Sequence, residues 1–366
     1  MWECLEYIQP LLKMAEIPAI PFLPPQVEIK TTEMHTGGEP LRIIESGFPE
    51  AEGRTLLEKR AWLRQRADHY RKFLMFEPRG HCDMYGALLT TPDLPGVDVG
   101  VIFMHNEGYS TMCGHGVIAL GRYIVDRKLV TPVSPETEVV IQCPCGPVKA
   151  RVEYNFNQSG RVSFESVPSY VFALDVTLPV PGVGDVTVDV SYGGAFYVFV
   201  PASRLNLDLN VTAIATLADA AQAVTDAAKT HLNLLHPHSQ DLAFVYGTIL
   251  TDDYTQSVDG PATNLCVFAN KQVDRSPCGS GCSARVALEY RRGIISLGQK
   301  LYFRSAVTGS VFATIAVREV EVKQAGPQDS DVVGVVTEVS GNAYYSGQST
   351  FCVEQDDPLT PGFLPR

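Results

Sequence analysis

Cys113 and Cys278 each open a Cys-Gly-x-Gly turn, Cys113-Gly114-His115-Gly116 and Cys278-Gly279-Ser280-Gly281. Each turn leads into a stretch with helical spacing, Val117–Arg127 and Ser283–Arg292. A thiol at a helix N-terminus sits near the positive end of the macrodipole, which lowers its pKa. The glycines leave backbone N–H groups unobstructed, a cradle for an anion such as a carboxylate. Two such turns facing one another would hold one carboxylate between two helix ends. They would also place a sulfur on each side of the adjacent carbon. One thiolate then takes a proton from one face and the opposite thiol returns one to the other, so the two cysteines form an acid–base pair.

Other chemistries fit the same residues less completely. Buried cysteines are common and mostly inert, and a Gly-rich turn before a helix is often only a cap. Gly279-Ser280-Gly281-Cys282-Ser283-Ala284 matches a dinucleotide-binding pattern, but Ser276-Pro277 separates it from any strand and no acidic residue follows at the required distance. A cysteine nucleophile paired with His35, His105 or His115 would leave the second Cys-Gly turn without a role. Cys143-Pro144-Cys145, Cys278 with Cys282, and His236-Pro237-His238 are poor matches to structural metal spacing, so no metal is expected. Cys82, Cys143, Cys145, Cys266 and Cys352 read as ordinary strand or turn residues, and Cys282 as helix packing.

The elements that would position the two turns recur in order. Gly37-Gly38 precedes the apolar run Leu41–Ile44, and Gly193-Gly194 precedes Phe196–Phe199. The separation is 76 residues from Gly37 to Cys113 and 85 from Gly193 to Cys278. Two motifs repeated in the same order imply a duplication, with two related α/β halves facing each other. Val139–Gln142, Val148–Val152, Arg161–Phe164, Val186–Val190, Val311–Val317 and Val332–Val339 carry the short β-branched signature of strands. Thr212–Leu232 is an amphipathic helix with Ile214, Leu217, Ala221, Val224 and Ala228 on one face. The expected division is an N-terminal extension over 1–26, halves over 27–180 and 181–340, and a C-terminal segment over 341–366 returning to the first half.

Composition narrows the function class. The chain has 366 residues, 45% apolar and 19% charged, as in soluble globular proteins. Its 41 acidic and 29 basic residues give a net charge of −12, which would repel a phosphate backbone. The basic stretch Arg54–Lys72 has Leu56, Leu63, Ala67, Tyr70 and Leu74 at helical spacing, so its charges read as a solvated helix face rather than a nucleic-acid site. No run of about 18 apolar residues predicts a membrane span. Met1–Gln26 is Pro-rich and lacks the pattern of a secretory signal. Nine cysteines, an odd number, fit reduced thiols in the cytoplasm.

The chain resembles the proline racemase family, which also holds hydroxyproline epimerases and trans-3-hydroxy-L-proline dehydratases. The segments that carry the resemblance are Met34–Pro40, Arg79–His81, Asp83–Gly86, Asn106–Tyr109 running into Met112–Gly116, and Asp274–Gly281. It implies a fold like diaminopimelate epimerase, an active site between two halves, no cofactor and a homodimer. It implies that Cys113 and Cys278 transfer protons, and that the amides of Gly114, His115, Gly279 and Ser280 hold the substrate carboxylate. His115 and Asp274 would contact the ring nitrogen, Asp274 being suited to a secondary ammonium. Tyr85 and Phe268 would shape the pocket around the ring.

The resemblance also divides by reaction. Animal trans-3-hydroxy-L-proline dehydratases, which much of the chain resembles, carry threonine at the position of Cys278. Loss of water needs one base at Cα, whereas racemisation needs an acid and a base on opposite faces. Cys278 therefore points to a racemase or epimerase of proline or hydroxyproline. The dehydratase is the alternative, and a non-catalytic binding protein is a third reading. Phe268 favours an apolar ring such as proline, and Tyr85 offers a hydroxyl to a ring substituent.

Overall fold

A computed structural model describes residues 23, 27–253, 260–325, 330–354 and 356–365; apart from Leu23, the expected extension over 1–26 lies outside them. The first half of the described chain contains β1 (Glu28–Thr36), β2 (Glu39–Ser46), α1 (Leu56–Arg66), α2 (Asp68–Met75), β3 (Tyr85–Thr90), β4 (Val99–His105), β5 (Gly108–Tyr109), α3 (Gly114–Asp126), β6 (Glu136–Cys143), β7 (Gly146–Asn155) and β8 (Gln158–Glu165). It continues through β9 (Ser169–Val180), β10 (Gly184–Tyr192), β11 (Phe196–Pro201), α4 (Ile214–His231), β12 (Val245–Thr251), β13 (Ala262–Phe268) and β14 (Gln272–Val273). The last elements are α5 (Gly279–Arg291), β15 (Lys300–Ser305), β16 (Val311–Val322), β17 (Val332–Gly341) and β18 (Ala343–Cys352). The six β-branched runs all fall inside strands.

The duplication is present in the pairing. β1–β2 is antiparallel, β2–β3 parallel, β3–β4 antiparallel, β4–β6 parallel, and β6–β7 and β7–β8 antiparallel. The same alternation runs through β10–β11, β11–β12, β12–β13, β13–β15, β15–β16 and β16–β17. Each copy carries a two-residue strand, β5 on β4 and β14 on β13, just before its Cys-Gly turn. Gly37-Gly38 makes the β1–β2 turn, and Gly193-Gly194 lies between β10 and β11. Ladders also cross between the copies: β17 pairs with β8 and β9, and β18 returns to lie antiparallel to β1, Glu28 opposite Cys352.

Each copy encloses one helix. α3 packs against β1, β6, β7, β8 and β18, and α5 against β9, β10, β11, β16 and β17. Ile118 and Leu120 on α3 are fully buried, and burial of each contributes about 1.5–3 kcal/mol. On the outer faces α1 and α2 cover the first copy and α4 covers the second, forming two further apolar clusters. Leu217, Ala221, Val224 and Ala228 of α4 are buried as expected, while Ile214 at its N-terminus is exposed.

The basic stretch differs from its reading. It forms two helices that break at Ala67, and its charges are not all solvated. Lys59 is buried and donates to the Thr91 carbonyl at 2.8 Å; Arg71 is buried and donates to the His105 and Asn106 carbonyls. These cations satisfy backbone carbonyls that would otherwise be stranded at the ends of strands. Among the described residues, no helix is long and apolar enough to cross a membrane.

Candidate active site

α3 and α5 begin directly at Gly114 and Gly279, three to four residues earlier than the apolar periodicity alone implies, so Cys113 and Cys278 are their N-caps. The second glycine of each turn makes room for the thiol. A Cβ on Gly116 would lie 2.5 Å from Phe103 Cε1 and 2.8 Å from Cys113 Sγ. A Cβ on Gly281 would lie 2.4 Å from Ile249 Cδ1 and 2.9 Å from Cys278 Sγ. The Cys-Gly-x-Gly pattern thus has the same packing cause in both copies.

The two caps differ in backbone. Cys113 is extended (φ −148°) and its sulfur accepts from the Gly116 amide at 3.1 Å. Cys278 has φ +67°, a left-handed conformation that costs a non-glycine residue on the order of 1–3 kcal/mol. A relay of hydrogen bonds holds it there: Ser276 N donates to Asp274 Oδ1 at 2.7 Å, and Cys278 N donates to Ser276 Oγ at 3.1 Å. Cys278 Sγ faces the Tyr197 hydroxyl at 3.6 Å, and Tyr197 in turn bonds Ser280 Oγ at 2.7 Å.

All the expected site residues come together. Tyr85, Cys113, Gly114, His115, Phe268, Asp274, Cys278, Gly279 and Ser280 line one cavity, together with Met112, Tyr197, Tyr246 and Cys266. Its volume is about 20 Å³, room for one water molecule. Tyr246 and Phe268 stack in parallel at 5.2 Å and form an apolar wall. Cys266, which read as an ordinary strand cysteine, was missed. So was Tyr246, since single aromatic residues on buried strands carry no periodic signal. Cys266 Sγ, an Asp274 oxygen and Cys278 Sγ lie within 4.8 Å of one another. Two thiols and a carboxylate could take a thiophilic divalent ion, but only by occupying the second thiol of the pair.

Burial governs the electrostatics. It pushes the Cys113 thiol well above its ordinary value, outweighing the Gly116 amide that pulls it down. The lowering expected from the helix end alone is therefore overturned for Cys113, because full desolvation of a thiolate costs more than one amide returns. His115 is held to about 3 by burial, so its ring is neutral. Nε2–H donates to the Pro40 carbonyl at 3.3 Å, leaving the Nδ1 lone pair toward Cys113 Sγ at 3.2 Å. Burial raises Asp274 to about 6 despite its bonds from Ser276. Glu39, which the sequence reading did not single out, is buried beside it; desolvation and the Asp274 charge raise it, and it accepts from Arg275 N at 2.7 Å. The arrangement brings a thiol from each copy, a buried carboxylate and the N-termini of two helices to one small cavity.

A family model described as proline racemase matches residues 31–364. The chain belongs to the proline racemase family. It is 53% identical over 350 residues to a trans-L-3-hydroxyproline dehydratase of Xenopus tropicalis, covering 95% of this chain and 99% of that one. It is 52% identical over 355 residues to the human trans-3-hydroxy-L-proline dehydratase, covering 94% and 98%. Among solved structures, a probable proline racemase from Agrobacterium radiobacter with bound carbonate superposes with a TM-score of 0.83 at 26% identity, over 92% of this chain and 96% of that one. Membership of the proline racemase family makes the chain an enzyme, an isomerase or a hydro-lyase, with the two-copy α/β fold expected of it.

Proposed function

We propose that the enzyme removes water from trans-3-hydroxy-L-proline, giving pyrroline-2-carboxylate. The observation that carries this reading is the identity above 50%, across almost the whole chain, to relatives named for that reaction. In the proposed complex the substrate carboxylate lies between the N–H groups of Gly114, His115, Gly279 and Ser280, where two helix ends supply positive potential. Asp274 and His115 take the ring nitrogen. Cys113, as thiolate, removes the Cα proton; the C–O bond at ring carbon 3 breaks, and its electron pair leaves with the oxygen. The enamine that remains tautomerises to the imine.

Cys278 supports a second reading. A thiol in place of threonine supplies the acid and base on opposite faces that racemisation of proline, or epimerisation of hydroxyproline, requires. One experiment separates the two. The enzyme is incubated in deuterated water with L-proline and, separately, trans-3-hydroxy-L-proline. The dehydratase produces pyrroline-2-carboxylate from the hydroxylated substrate and leaves the optical rotation of proline unchanged. Loss of rotation with deuterium at Cα of proline, and no dehydration, would establish the racemase instead.

A further inference from the structure

Resting on the dehydratase reading, a stereochemical demand follows. In the trans isomer the carboxylate and the 3-hydroxyl lie on opposite ring faces, so the Cα hydrogen and the hydroxyl share one face. The side of the pocket that takes the proton must therefore also protonate the departing oxygen. Hydroxide is a poor leaving group, and a general acid contributes about 10²–10⁴-fold to such steps.

The structure holds a chain of hydroxyls on that side. Tyr85 Oη and Ser110 Oγ are 2.5 Å apart, and Ser110 Oγ and Tyr246 Oη 2.9 Å apart. All three residues are buried, and both tyrosines line the cavity. Three hydroxyls carry three protons, and the two internal bonds use two of them. The third is left on one of the three, because Ser110 can donate to one tyrosine or accept from both. Tyr85 is the end beside Cys113: its ring meets His115 edge-on at 4.9 Å, and its hydroxyl draws the Cys113 thiol down. With Tyr246 donating to Ser110 and Ser110 donating to Tyr85, the spare proton belongs to Tyr85. The half-buried Arg60 guanidinium is close enough to both phenols for its charge to favour negative charge on either.

We propose that Tyr85 is the acid that protonates the departing 3-hydroxyl, with Ser110 and Tyr246 as the positioning residues that fix its proton. The protons balance within the site. Cys113 takes the Cα proton, Tyr85 gives its proton to the leaving oxygen to form water, and the Cys113 thiol returns a proton to the Tyr85 phenolate. Burial holds the Tyr85 phenol well above its ordinary pKa, so it rests protonated.

The test measures two rates in deuterated water for the wild type, Tyr85→Phe, Ser110→Ala and Tyr246→Phe: dehydration of trans-3-hydroxy-L-proline and exchange of its Cα hydrogen. Expected is a fall of about 100-fold or more in the ratio of dehydration to exchange for Tyr85→Phe. Smaller falls in the same direction are expected for the other two variants. Fluoride elimination from trans-3-fluoro-L-proline, whose leaving group needs less help from a proton, should suffer far less. An unchanged ratio, or equal losses on the hydroxylated and fluorinated substrates, overturns the role of Tyr85 and leaves the dehydratase standing. A wild type that racemises proline and leaves trans-3-hydroxy-L-proline intact removes both.

Discussion

Gly114 and Gly279 meet back to back across the two copies: a Cβ on Gly114 would lie 2.5 Å from Gly279 Cα, and a Cβ on Gly279 would lie 2.7 Å from Gly114 Cα. Neither obstacle is a flexible side chain, so the only relief is for the helix ends to part. Gly114→Ala and Gly279→Ala should therefore widen the gap between α3 and α5. We expect a loss in kcat/KM of at least about 100-fold, since misplacement of about 1 Å has that effect on a preorganised site. Steady-state kinetics with circular dichroism as a folding control check it; near-normal activity in either variant would show that the two helix ends need not touch.

The two thiols should separate under substitution. Cys113→Ser should abolish both dehydration and Cα deuterium exchange, because a serine hydroxyl does not supply a thiolate's basicity. Cys278→Thr should keep dehydration within a few-fold of wild type and remove any proline racemisation. Chiral chromatography after incubation with L-proline reads the second outcome. Loss of dehydration in Cys278→Thr would show that the second sulfur takes part in elimination.

Asp274 couples activity to stability. Its folded pKa of about 6 lies above the ordinary 3.8, so between these values the native state binds more protons than the unfolded chain. Stability therefore falls as pH rises through that window, and the deficit persists at neutral pH. Asp274→Asn keeps an acceptor for Ser276 N and removes the buried charge. It should raise unfolding free energy at pH 7 by up to about 3 kcal/mol, from roughly 2 pKa units at 1.4 kcal/mol each, while abolishing turnover. Urea unfolding at pH 4 and pH 7 should show the gain at pH 7 and little of it at pH 4.

The same shift sets a pH profile. Asp274 must be ionised to hold a substrate ammonium, so kcat/KM should rise with pH through about 6. It should continue to rise into the alkaline range, because the Cys113 thiolate forms only above the ordinary thiol range. A flat profile between pH 5 and 7 in wild type would separate Asp274 from substrate binding.

How much was legible in the sequence follows from which interactions are local. The Cys-Gly-x-Gly turns and the Gly-Gly pairs are contiguous, and their order alone revealed the duplication that the alternating ladders display. Cys113, Cys278 and Asp274 could be named because each sits in a distinctive motif. Tyr246 and Cys266 reach the site on β12 and β13, through ladders between strands far apart in the chain, whereas Ser110 and Glu39 lie in or beside the quoted motifs without a chemical signal of their own. Such contacts leave no periodic trace. The thiol pKa failed for a related reason: the dipole of a helix end is a local property, whereas the desolvation that overrides it depends on everything packed around Cys113.

The return of β18 to β1 orders events during synthesis. The outer edge of β1 is completed only by Ala343–Cys352, so the first copy must wait with that edge exposed until residues 343–352 have been made. Closing a loop of more than 300 residues is slow, and an open edge can recruit strands from other chains. A nascent chain paused before residue 343 therefore has its second thiol already translated, yet its first copy is still unfinished. Catalytic competence should appear late and abruptly, as the last ladder closes.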